Sequence, residues 1–143
     1  MKQGVDSKYI YSDLSHEIIG SAYEVQNSVG SGRPEKTYQS LMVVELRNRG
    51  IEFKSQVKVD IIYKGIKAAT RYLDFVIYGK EGDVVVELKV GSHILKCDYE
   101  QTYDYLVSSG IKLGLIILFS GNGVKAKRVV NLVNRSNLIS RIT

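Results

Sequence analysis

The sequence holds one cysteine (Cys97), one proline (Pro34) and two histidines (His16 and His93). A lone cysteine excludes an intrachain disulfide, and with no Cys/His cluster around it a structural zinc site is excluded as well. Cys97 has no companion His/Asn motif, so it reads as a buried or partly buried helix thiol rather than a nucleophile. His16 and His93 stand far apart and away from the acids discussed below, and read as surface groups. No apolar run approaches the roughly 20 residues that cross a bilayer; the longest runs from Leu115 to Phe119. The first residues carry no apolar stretch of the kind found in secretion signals. The expectation is a cytoplasmic protein in a reducing compartment, with no membrane partner.

What is present is ordinary for a folded chain. The 143 residues are 44% hydrophobic and 24% charged, enough for one domain with a real core spanning 1–143. Residues 1–11 read as an N-terminal extension and 124–143 as a basic tail. Twenty Lys+Arg against fifteen Asp+Glu give +5, which favours polyanions without proving one. In the tail, Lys125, Lys127, Arg128, Arg135 and Arg141 suit either a phosphate backbone or a solvated terminus.

Apolar periodicity sets the order of elements. Leu14, Ile18, Ala22, Val25 and Val29 recur at helical spacing from Ser12 until Gly30-Ser31-Gly32 interrupts them. A second helix opens with Pro34 at its first position and Glu35 in its first turn, and Gly50 stops it. Between Ile51 and Tyr63 apolar residues keep odd parity, which predicts a half-buried strand. Lys64-Gly65 makes a turn into a strand ending at Tyr78, and Gly79 to Asp83 makes another into the β-branched segment Val84 to Val90. Ser92 to Ser109 reads as a helix with a core stripe at Leu95, Tyr99 and Leu106. Leu113 to Phe119, apolar on both faces, predicts a central strand covered by helices. After Gly121-Asn122-Gly123 the pattern fits strand or helix. The sum is an α/β or α+β sandwich with a mixed sheet.

One acid interrupts the apolar strand before Tyr78: Asp74. In the next strand, Glu87 and Lys89 are two apart and share a face that Leu88 does not. A hairpin about Gly79 to Asp83 places Asp74 opposite Glu87 or within one residue of it, with Cβ atoms about 5 Å apart. Two carboxylates that close resist joint ionisation unless a cation lies between them, and oxygen donors suit Mg²⁺ or Mn²⁺. A metal so placed would polarise a phosphate and acidify a bound water, with Lys89 orienting that water or neutralising charge. A plain cross-strand salt bridge between Asp74 and Lys89, with Glu87 solvated, is the competing reading. The apolar surroundings in LDF and VVELKV favour the metal site, because charges among buried positions require partners.

Asp74 followed by Glu87-Leu88-Lys89 resembles the PD-(D/E)XK signature, in the αβββαβ setting of that nuclease superfamily, although Leu73 stands where the signature has proline. The segment Gly32 to Tyr38 is similar to the motif of the GxxExxY family of PD-(D/E)XK-like proteins, with Arg33-Pro34 where apolar residues are usual. Gln101 to Tyr105 resembles the QxxxY element of several nuclease branches. The resemblance implies a restriction-endonuclease-like core and a catalytic set of Glu35, Asp74, Glu87, Lys89 and Gln101. It implies Mg²⁺ or Mn²⁺ held by Glu35, Asp74, Glu87 and the Leu88 carbonyl, and substrate contacts at Tyr38 and Tyr105. For Tyr105, simple core packing stands as an equal alternative.

The expected function is metal-dependent hydrolysis of nucleic-acid phosphodiesters, DNA ahead of RNA, with a homodimer as an analogy from nucleases that cut two strands. A catalytically silent nucleic-acid-binding or protein-interaction module on the same fold is the alternative.

Overall fold

The structure is a computed structural model that describes residues 11–132; the predicted extension through residue 10 and the tail cations Arg135 and Arg141 lie outside the described residues. Among the described residues three helices and five strands run in the order α1 (Ser12–Val29), α2 (Glu35–Asn48), β1 (Glu52–Tyr63), β2 (Ile66–Tyr78), β3 (Val84–Val90), α3 (Lys96–Ser109), β4 (Leu113–Ser120) and β5 (Gly123–Val130). The strands form one mixed sheet in chain order, parallel between β3 and β4 and antiparallel elsewhere. Parallel neighbours cannot be joined by a tight turn. Here α3 makes the crossover.

Period-two alternation divides the core into two layers. Val84, Val86 and Leu88 of β3 pack with Leu113, Leu115 and Ile117 of β4 against Ile18, Ala22, Tyr38, Met42 and Leu46 of α1 and α2. On the opposite face Val85 and Ile116 pack against Tyr105 and Leu106 of α3. Covered on both sides, β4 is buried from end to end, as its unbroken apolar run predicts. The sandwich with a mixed sheet is therefore as expected.

Three boundaries differ from the sequence pattern. Helix α2 starts at Glu35, with Pro34 as the extended residue before it. Helix α3 starts at Lys96 rather than Ser92, because the Leu95 N–H donates to Asp98 Oδ2 at 2.9 Å and that cap fixes where the helix can begin. Leu95 accordingly leaves the core stripe and is exposed. Of the ambiguous stretch after Gly123, residues Gly123–Val130 are a strand.

What positions the site is the unequal length of the strand pairings. Strands β1 and β2 pair along their whole length, closed by a two-residue turn in which Lys64 (φ 52) and Gly65 (φ 77) are both left-handed. By contrast, β2 pairs with β3 only from Phe75 to Ile77. Ahead of Asp74, β2 has only β1 as a hydrogen-bonded neighbour, and the two continue as an arm beyond the sheet.

Candidate active site at the β2–β3 divergence

Asp74 and Glu87 stand where β2 parts from β3. The register Phe75 to Val86 is the last paired position, so Asp74 and Glu87 come next, facing each other. Their side chains take over from the ladder. The Asp74 N–H donates to Glu87 Oε1 at 3.0 Å, and the Leu88 N–H donates to Asp74 Oδ2 at 2.7 Å. Each carboxylate thus satisfies a backbone donor of the opposite strand and retains a second oxygen. The hairpin register anticipated this juxtaposition, and the reciprocal bonds hold it.

The same divergence is marked on β1. Ser55 pairs with Phe75 and Val57 with Leu73, but the ladder skips Gln56. Gln56 is left-handed at φ 52 inside a strand, a conformation costing a non-glycine residue about 1 kcal/mol or more. Its side chain favours the charged Asp74 carboxylate, opposing the effect of burial. In the sequence Gln56 is one of the polar residues that alternate with the odd-parity apolar ones of this strand, and nothing there singles it out.

Burial makes this a high-energy place for negative charge. Glu87 is buried, and its carboxyl is pushed up to about 8, first by desolvation and then by the neighbouring Asp74 charge. Desolvation also raises Asp74, against the lowering effects of the Leu88 N–H, Lys89 and Gln56. Glu35 occupies the exposed rim at the start of α2, where partial loss of hydration, then the Asp74 charge, raise its carboxyl. Desolvation, then the Glu87 charge, raise the Tyr105 phenol.

Lys89 shares the α3-facing side of β3 with Glu87, but its ion partner is Asp98, with Nζ 3.5 Å from Oδ1. The cross-strand Asp74–Lys89 bridge is therefore not its pairing. Asp98 thus both caps the start of α3 and holds Lys89. It was absent from the sequence-derived set, although an acid in a first helical turn is a readable capping signal.

The expected metal-ligand set is only partly assembled. Asp74 and Glu87 converge, but among the described residues no group of three His, Cys, Asp or Glu side chains is arranged to hold a metal ion. Glu35 bears on the pair electrostatically without closing a three-carboxylate cage. Gln101 and Tyr105 do come together, with Nε2 3.5 Å from the phenol oxygen, and both line a cleft between α3 and the β1–β2 arm.

Tyr38 requires correction as a substrate contact. It is fully buried, stacked on Phe119 with ring centroids 4.1 Å apart, and its hydroxyl donates to the Gly30 carbonyl at 2.7 Å and accepts the Arg33 N–H at 3.3 Å. It ties the α1–α2 connection to the sheet and so sets where Glu35 begins its helix. We expect Tyr38→Phe to keep the stack and lower stability by about 1 kcal/mol in a denaturant titration; an unchanged midpoint would show the hydroxyl to be idle. Cys97 is exposed rather than buried, because α3 turns that position outward.

A family model described as the PD-(D/E)XK nuclease superfamily matches residues 12–130, so the chain belongs to that superfamily of nucleases, whose members typically use divalent metals. Among solved structures it is similar to the protein solved as SSO0001, at 9% identity over 92% of this chain and 84% of that one, with a TM-score of 0.47. It is also similar to Hjc, a Holliday junction resolvase of Archaeoglobus fulgidus, at 15% identity over 62% of this chain and 71% of that one, with a TM-score of 0.40. No curated protein matches it. No described helix is long and apolar enough to cross a membrane.

Proposed function

We propose that this protein is a Mg²⁺- or Mn²⁺-dependent nuclease that hydrolyses nucleic-acid phosphodiesters, with DNA as its substrate, and that it falls in the GxxExxY branch of the superfamily. The observation that carries the proposal is the reciprocal clamp of Asp74 and Glu87 across diverging strands, in a place where burial opposes their ionisation. Such a pair is short of positive charge. The donor set fits a hard cation: a single backbone N–H on each carboxylate leaves acceptor capacity on both, and Mg²⁺ is commonly held by one or two carboxylates plus waters and phosphate. Asp74 and Glu87 would hold the ion together with the Leu88 carbonyl, and Glu35 would add negative charge from the start of α2. When bound, the ion would supply an acidified water and neutralise charge on the phosphate.

The chain's own residues do the positioning. The Leu88 N–H fixes the Asp74 carboxylate and Gln56 favours its charge, while Asp98 holds the Lys89 ammonium on the face it shares with Glu87. There Lys89 would orient the attacking water or offset charge developing on the phosphate. Gln101 supports the site through Tyr105. The GxxExxY assignment is supported by what the motif does locally: Gly32 takes a left-handed φ of 82, Tyr38 clasps the turn, and Glu35 opens the helix beside the acids.

The test is direct. Supercoiled, linear, branched and single-stranded DNA, and RNA, are incubated with the protein plus Mg²⁺ or Mn²⁺, and in parallel with EDTA. Cleavage of DNA that EDTA abolishes is the expected result; metal-supported binding without any cleavage would instead make this a silent module on a nuclease fold.

A further inference from the structure

A cleft of about 650 Å³ opens between the β1–β2 arm and α3. Arg71 and Tyr63 line it from the arm, and Gln101 and Tyr105 from the helix. Arg71 and Tyr105 line the same end of the cleft, where both the Arg71 and the Glu87 charges act on the Tyr105 hydroxyl. A guanidinium carries five donors on a rigid fork that matches phosphate, and one phenol oxygen cannot satisfy them all. Arg71 is therefore equipped to take an anionic acceptor. Toward the tip of the arm the ring of Tyr63 is 63% exposed and carries the Lys64 Nζ 5.3 Å from its centroid, so a base would stack opposite that ammonium or displace it.

The remaining charges limit what fits. Asp60, Glu100 and Asp104 also line the cleft, so a run of several phosphates would be repelled along it. Asp60 is itself engaged, 3.7 Å from Lys67 Nζ and accepting from Thr70 Oγ1 at 3.1 Å. One phosphate at Arg71 is accommodated; a train of them is not. The volume is that of a small-ligand pocket, suiting a single nucleotide. A guanidinium near the chemistry with an aromatic face farther out is also the pairing by which proteins hold unpaired strands.

We propose that this cleft takes one unpaired nucleotide of the substrate strand, next to the scissile phosphate, with Arg71 on its phosphate and Tyr63 stacked on its base. The proposal rests on the nuclease reading above, and it makes a single-stranded segment, whether an end, a flap or a branch, the recognised substrate feature.

Binding is measured in EDTA by fluorescence anisotropy, with a labelled single strand and a blunt duplex of the same sequence, across a salt series. We expect Arg71→Ala to weaken single-strand binding about tenfold and to lower the slope of log affinity against log salt by about 0.7, the contribution of one phosphate on a single strand. Arg71→Lys should restore the slope. Tyr63→Ala should weaken single-strand binding about fivefold or more with no change of slope, since stacking releases no counterions. Neither substitution should alter duplex binding. Equal losses on duplex and single strand, or a lowered melting temperature of Arg71→Ala with an unchanged slope, would overturn the cleft assignment. If the wild type binds neither nucleic acid, the nuclease reading fails first; if it binds and both alanine variants bind as it does, only the cleft assignment fails.

Discussion

Asp74→Asn is expected to lower DNA cleavage by roughly three orders of magnitude while leaving the fold intact. The amide oxygen can still accept the Leu88 N–H, so the β2–β3 divergence keeps its clamp. What is lost is the anionic oxygen available to a cation. Removal of a charge that burial disfavours should leave the melting temperature equal or slightly higher. Divalent ions should raise the melting temperature of the wild type and not that of Asp74→Asn, because an ion that binds only the folded site stabilises it. Lys89→Ala should fall to a similar rate yet still gain stability from the ion, since Lys89 pairs with Asp98 and is not placed as a ligand. A plasmid-nicking time course combined with thermal melts checks both variants. Cleavage by Asp74→Asn within tenfold of wild type would remove Asp74 from the mechanism.

The second large effect is a dependence of stability on pH that runs opposite to the common carboxylate case. In the metal-free protein Glu87 binds its proton with a pKa of about 8, against 4.5 without the fold. Between those values the folded chain retains a proton that the unfolded chain has released, so stability falls as pH rises through the interval. The contribution is fully present below pH 4.5 and lost above about 8; Asp74 and Glu35, also raised, act in the same direction. A loss on the order of a few kcal/mol follows, seen as a melting temperature lower by roughly 10 °C at pH 9 than at pH 5 in EDTA. Glu87→Gln should flatten the profile. Because a cation must displace that proton, affinity for Mg²⁺ or Mn²⁺ should rise toward tenfold per pH unit up to about pH 8. A wild-type melting curve that is flat between pH 5 and 9 would mean that Glu87 is ionised throughout.

These expectations draw on residues of differing legibility. Glu87 and Lys89 were placed on one face by two-residue periodicity alone, and Asp74 opposite Glu87 or within one residue of it by the turn at Gly79 to Asp83; the β2–β3 register makes it opposite. Tyr38 was read as a contact from its motif, whereas it is an interior clasp, since a motif records that a residue type is needed and not which way it faces. Leu95 was read into a helical stripe, but the Asp98 cap begins the helix one residue after it. Gln56 and Arg71 gave no local signal. Their importance comes from partners on other elements, Asp74 across the ladder and Tyr105 across the cleft.

By itself the sequence determined the order of elements through the fourth strand, the two-faced sheet and the sharing of one strand face by Glu87 and Lys89, because hydrophobic periodicity and turn chemistry act over a few residues at a time. Only the tertiary structure decided that β2 leaves β3 at Asp74, that the two acids clamp each other's backbones, that Lys89 is held by α3, and that an arm and a helix enclose a cleft. Those outcomes depend on desolvation and on contacts between residues far apart in the chain, and such quantities take a value only once the layers have packed.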